Sequence, residues 1–164
     1  MRNFLYISAL LSLISINAQS HPLNINNHND AQNIQQAGPS LAVEVEGAWA
    51  RATFALAKTG AAYMSLQNNG EQDIRLTSVS VDESIASISE LHHTVMRDDM
   101  MSMQELEDGI VIAAGETVEF APGGKHIMLM GLTGPLEAGK QIEVTLNFDN
   151  GTNVSHIFPI KDAR

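Results

Sequence analysis

Six of the eight methionines and three of the six histidines fall between His92 and Met130: Met96, Met100, Met101, Met103, Met128 and Met130, with His92, His93 and His126. An even spread would put about two methionines in a window of that length. A single methionine usually fills a gap in a core, and Met64 in the run Ala61–Leu66 reads that way. Six of them interleaved with imidazoles ask for a chemical reason. Thioether sulfur is polarisable, has no proton to displace and suits Cu(I), and neutral imidazole completes a mixed nitrogen and sulfur donor set.

Strand periodicity sharpens this reading. In His126-Ile127-Met128-Leu129-Met130, alternation puts His126, Met128 and Met130 on one face and Ile127 and Leu129 on the other. The aliphatic pair is the natural core face, so the His/Met face is expected to look outward or into a rim. A closed site needs a second segment, and the run from His92 to Met103 supplies one. The turn Pro122-Gly123-Gly124 can aim His126 at the end of its strand, towards His92 and Met103. Glu90, Asp98, Asp99 and Glu105 would add a potential favourable to a cation, or stand as solvated surface. By alternation His93 turns away from His92, towards a surface role or one supporting a ligand. Met96, Met100 and Met130 read as rim or packing residues.

Other chemistries are excluded by composition. The 164 residues contain no cysteine, which rules out disulfides, thiolate catalysis, thiolate zinc sites and the cysteine-ligated blue copper site. A net charge of −10 without a Lys/Arg run argues against nucleic acid or an anionic membrane as partner. No serine, carboxylate pair or phosphate-binding loop stands in a catalytic setting, so no enzymatic activity is expected.

The elements that must position these residues are short. The N-terminus, MRNFLYISALLSLISINAQS, places Arg2 before an apolar stretch from Phe4 to Ile16, with small residues at Ala18 and Ser20. This is the layout of a secretory signal peptide over residues 1–20. Residues 21–40, rich in Asn and Gln, read as a polar flexible leader. Cleavage after Ser20 would expose His21 as an N-terminal chelator of Cu(II), with His28 near it. From residue 41 to 164 the chain reads as a single domain. Alternating apolar segments run over Leu41–Glu46, Ala61–Leu66, Ile74–Val81, Ser87–Val95, Ile110–Ala113, Val118–Phe120, His126–Leu132, Gln141–Phe148 and Asn153–Ile160. Turn signals separate them at Asp108-Gly109, Ala114-Gly115, Pro122-Gly123-Gly124 and Asp149-Asn150-Gly151. Short strands at this spacing imply an antiparallel β-sandwich or barrel. Trp49 and Arg51 are expected to pack and pair within it.

These residues resemble the periplasmic copper chaperones that help assemble the copper-A centre of cytochrome c oxidase, the PCu(A)C family. The family carries His-x10-Met followed by His-x-Met. Here His92 and Met103 enclose ten residues, and His126-Ile127-Met128 follows. Ala48–Thr53, Tyr63-Met64, Glu90-Leu91-His92 and Pro122–Leu132 extend the likeness, which runs from about Val43 to Ile160. The interval from Met103 to His126 is one residue longer than is common in the family. The family's Gly-Val-Met-x-Met segment is here Asp99-Met100-Met101-Ser102-Met103, which leaves Met101 as a competitor of Met103.

The resemblance implies a cupredoxin-like, Greek-key, antiparallel β-sandwich and a monomeric, non-enzymatic Cu(I) carrier in the periplasm. Its ligands would be His92, Met103, His126 and Met128. Its partners would be the copper-A subunit of cytochrome c oxidase and a thioredoxin-like copper protein, with no nucleic acid and no membrane insertion after signal cleavage. A copper storage or resistance protein with the same site, and a plain β-sandwich interaction module with a packing Met cluster, are the alternative readings.

Overall fold

The computed structural model describes residues 43–97 and 100–162. The expected signal segment 1–20, the leader 21–40 with His21 and His28, and the carboxylates Asp98 and Asp99 lie outside the described residues. Ten strands follow in chain order: β1 (Val43–Arg51), β2 (Thr59–Asn68), β3 (Ile74–Val81), β4 (Ala86–Arg97), β5 (Met100–Glu105), β6 (Ile110–Ile112), β7 (Thr117–Phe120), β8 (Lys125–Leu132), β9 (Gln141–Phe148) and β10 (Asn153–Lys161). Nine correspond to the alternating runs of the sequence. β1 continues past Glu46 to Arg51 because a register shift between Glu46 and Trp49 absorbs Gly47, which sits at φ +58°. Such a bulge breaks the period-2 pattern without ending the strand.

β5 is the strand that the alternation does not announce. All six of its side chains are exposed, so no apolar and polar residues take turns along it. What holds it is backbone pairing with β4, from His92 opposite Glu105 to Arg97 opposite Met100.

One sheet has β5 at its edge, then β4, β8, β2 and β1, with β7 beside β2 and β8. The other runs β10, β9, β3, β6. The two continue into one another where β1 and β10 pair in parallel, at Ala50 with Ile160 and Arg51 with Lys161. That pairing and a single parallel pair between β7 and β8, Phe120 with Lys125, depart from a purely antiparallel arrangement. Leu66, Ile127 and Leu129 from one sheet and Leu76, Val144, Leu146 and Phe158 from the other belong to one continuous buried core. Burying a side chain of this size contributes about 1.5–3 kcal/mol each. Ile127 and Leu129 therefore fix the rotation of β8, and with it the face that carries His126, Met128 and Met130.

Candidate metal centre

The pairing register gathers the sequence-selected residues on the outer face of the first sheet. His92 on β4 lies directly opposite His126 on β8, and Glu90 lies opposite Met128. On the other side of β4, Thr94 faces Met103 and Met96 faces Met101. Directly opposite residues in an antiparallel pair share a face, as do residues two apart on one strand. Glu90, His92, Thr94, Met96, Met101, Met103, His126 and Met128 therefore all present to the same side. The rings of His92 and His126 stand 5.9 Å apart between centroids, tilted by 50°.

The turn before β8 sets the second imidazole. Ala121-Pro122-Gly123-Gly124 closes with the Gly124 N–H donating to the Ala121 carbonyl at 2.9 Å, and Gly123 holds φ +81°. Proline at the second position and a positive-φ glycine at the third are what a type II turn requires. The Gly124 carbonyl accepts from the Thr94 N–H at 3.2 Å and from His126 Nδ1 at 3.1 Å. A carbonyl can only accept, so Nδ1 of His126 carries the proton, and in the neutral ring Nε2 then keeps its lone pair. His92 is held from its other nitrogen: Nε2 lies 2.9 Å from Glu90 Oε2. Donation from Nε2–H of a neutral ring to that carboxylate leaves the lone pair on Nδ1.

Those two remaining nitrogens, Nδ1 of His92 and Nε2 of His126, are buried and have no hydrogen-bond partner. An orphaned buried acceptor costs about 1–3 kcal/mol. Two of them on neighbouring rings, each with its opposite nitrogen anchored by an oxygen, form the arrangement by which proteins orient imidazole towards a metal. His93 Nε2 and Arg51 Nε are likewise buried without partners. His93 is on the opposite face of β4, across from Lys125 and Gln104, and does not join the pair.

Beside the imidazoles lies a cavity of about 300 Å³ whose walls include His126, Met128, Met101, Met103 and Tyr63. Met103 and Met101 are both mostly exposed, and Met128 is half-buried. Of the two placements expected for the His/Met face of β8, outward or into a rim, His126 at 4% exposed excludes the first. Its ring shares the cavity with Met101, Met103 and the Pro122-Gly123 turn, and His92 flanks it. Among the described residues, no group of three or more His, Cys, Asp or Glu could hold a metal ion. Two imidazoles with thioethers around them make a soft set, suited to a monovalent rather than a hard divalent cation.

Two features escaped the reading of the sequence. Glu90 is the partner that orients His92, and the signal was its position two residues before a histidine on one strand. Arg51 is on the cavity wall, its guanidinium 5.7 Å from the centre of the Tyr63 ring, which in turn stacks at 4.7 Å on Trp49. The packing expected of Trp49 and Arg51 is present, but among the described residues Arg51 has no carboxylate within salt-bridge distance. A cavity wall made by residues on adjacent strands has no signature within either run.

The model of a family described as "Putative lipoprotein LpqE-like" matches residues 43–160. A protein of Leifsonia xyli subsp. xyli named putative lipoprotein Lxx21020 is 42% identical over 120 residues, covering 73% of this chain and 70% of that protein. The uncharacterized protein RP573 of Rickettsia prowazekii is 31% identical over 107 residues, covering 63% of this chain and 58% of its own length. Among solved structures, the apo PCuAC domain from PmoF1 superposes with a TM-score of 0.60 at 23% identity, over 74% of this chain and 95% of that domain. The Cu(I) form of DR1885 from Deinococcus radiodurans does so with a TM-score of 0.56 at 28% identity, over 80% and 85%. The fold these share with the present chain is the cupredoxin-like β fold.

Proposed function

The chain belongs to the LpqE-like family and has the fold of PCuAC domains, and from that premise we propose that it is an exported, non-enzymatic Cu(I) chaperone. In this reading His92 binds through Nδ1 and His126 through Nε2, while Met103 and Met128 supply thioether sulfur. The observation that carries it is the pair of anchored imidazoles whose free nitrogens are buried without partners beside methionines. The solved relative DR1885 is named as a Cu(I) form, and a copper-bound PCuAC domain from PmoF2 has the same fold with a TM-score of 0.60 at 21% identity. Those names support copper as the cargo here.

The proposed chemistry is ligand exchange without redox change. A thioether is a weaker, uncharged donor, and Met103 is 60% exposed, so its sulfur would be the first to yield to a donor from the acceptor. The buried His126 would release last. Each step swaps one donor for another on the same monovalent ion, so no electron or proton need move. The acceptor we propose is the copper-A subunit of cytochrome c oxidase, with a thioredoxin-like copper protein in the same route. The compartment would be the periplasm, entered by the signal segment 1–20, with the leader 21–40 ahead of a carrier domain over 41–164. The lipoprotein names of the family and of the Leifsonia relative support export.

Titration of the apo protein with Cu(I) against a competing chelator tests the binding, with one tightly held ion per chain expected. Deleting the gene and assaying oxidase activity at limiting copper tests the destination. Normal activity in the deletion would remove the copper-A delivery step.

A further inference from the structure

The four-ligand centre leaves an exposed group of methionines unexplained. Met96, Met101 and Met103 are 66%, 69% and 60% exposed, on one face of the β4–β5 hairpin. Of the two roles expected of Met96, rim or packing, that exposure leaves the rim. Scattered exposed apolar side chains are ordinary; three adjacent long thioethers on one face, two of them (Met101 and Met103) on the wall of the cavity beside the imidazoles, are a specific arrangement. Met96 and Met101 are directly opposite across the pair, which sets their Cβ atoms about 5 Å apart. Met103 follows Met101 on the same face and also lines the cavity containing His126 and Met128.

We propose that Met96 and Met101 form a shallow, all-thioether Cu(I) subsite at the outer end of the hairpin, with Met103 as the sulfur shared with the inner centre. Two opposed thioethers can hold a soft monovalent ion in two-coordinate geometry, and such donors bind it without proton competition. Loading then begins on the solvent side of the hairpin. The ion passes to Met103, and the buried nitrogens of His92 and His126 complete its transfer inward. The subsite rests on the proposed Cu(I) function, but its own two ligands, Met96 and Met101, lie outside the proposed four-ligand set, so the two can fail separately.

Ag(I), a redox-inert soft cation, is the probe, added to the full chain with carbon-13 at the methionine methyl groups. The first equivalent is expected to shift the signals of Met128 and of the His92 and His126 rings. The second is expected to shift the methyls of Met96 and Met101. Met100 is the internal control: it is 69% exposed but paired with Arg97, so it presents to the other side of the hairpin and its methyl should stay still. The exposed pair Met96→Leu with Met101→Leu should lose the second equivalent and keep the first. Unmoved Met96 and Met101 methyls would overturn the subsite while leaving the carrier reading intact. Equal movement of Met100 would also overturn it, because exposure alone would then explain the response. Loss of the first equivalent in the double variant would do so as well, by making Met101 a ligand of the inner centre. Movement of Met96 and Met101 without the histidine rings would support the subsite and remove the inner centre instead.

Discussion

Asn68 and His126, with the half-buried His92 beside it, are polar groups set into the same sandwich and finished in opposite ways. Asn68 is fully buried, and both its amide nitrogen and its amide oxygen are hydrogen-bonded. Nδ2 donates to the Gln72 carbonyl at 2.8 Å and the Ile112 carbonyl at 3.0 Å, and Oδ1 accepts from the Gly70 N–H at 3.0 Å. The side chain ties a turn to the sheet. His92 and His126 are each anchored by one nitrogen, with the other nitrogen buried and unmatched. A buried polar group that completes its bonds inside the chain stabilises the fold. In the proposed reading, the bond that His92 and His126 each leave unmade is the one a metal ion would complete.

The contrast can be broken by substitution, and the largest effect belongs to the completed group. Asn68→Ala strands two carbonyls and an N–H, so it should destabilise the apo protein by about 2–4 kcal/mol in a denaturant titration. Cu(I) affinity of the folded protein should not change. His126→Ala should do the reverse: chelator competition should show about a 100-fold weaker site, a loss of about 2.7 kcal/mol. Its apo stability should fall by less than that of Asn68→Ala, because Nε2 makes no bond to lose. Met128→Leu keeps nearly the same volume and should spare the fold while weakening Cu(I) strongly. Unchanged affinity would take Met128 out of the site. Glu90→Gln weakens the acceptor that orients His92, so affinity should drop about 10-fold, at the lower end for groups that support a ligand.

How much of this was legible follows from what makes a sequence pattern. The nine strands that alternate could be read because one face of each meets the core. β5 could not, because burial leaves no imprint on a strand with six exposed side chains, and its neighbour β4 holds it through the backbone. The residue types and the spacing of His92, Met103, His126 and Met128 were readable. What was not was the register that sets His92 opposite His126, since pairing partners are a property of two strands and not of either. The burial of His126 was missed for the same reason: the wall of its cavity comes from β5 and from the Pro122-Gly123 turn.

Smaller effects sharpen the same contrast. Met103→Leu should shift apo stability by less than about 0.5 kcal/mol, as expected of an exposed position, while still weakening Cu(I). The smallest effect is far from the metal centre, at Asp82. Hydrogen bonds from the Ser84 side chain and from its backbone N–H, the latter at 2.8 Å, hold the Asp82 carboxyl below the ordinary carboxylate range. A lowered folded-state value gives stability that is present above the unfolded value and lost as pH falls through the folded one. Asp82→Asn should therefore flatten the acid limb of the stability curve slightly and leave Cu(I) binding untouched at neutral pH.

X-ray absorption on the protein loaded with a single equivalent of Cu(I) puts the whole account at risk in one spectrum. Two imidazole nitrogens and two thioether sulfurs around the ion are the predicted neighbours. An ion surrounded only by sulfur, or only by nitrogen and oxygen, would mean that the open nitrogens of His92 and His126 and the methionines beside them do not act together.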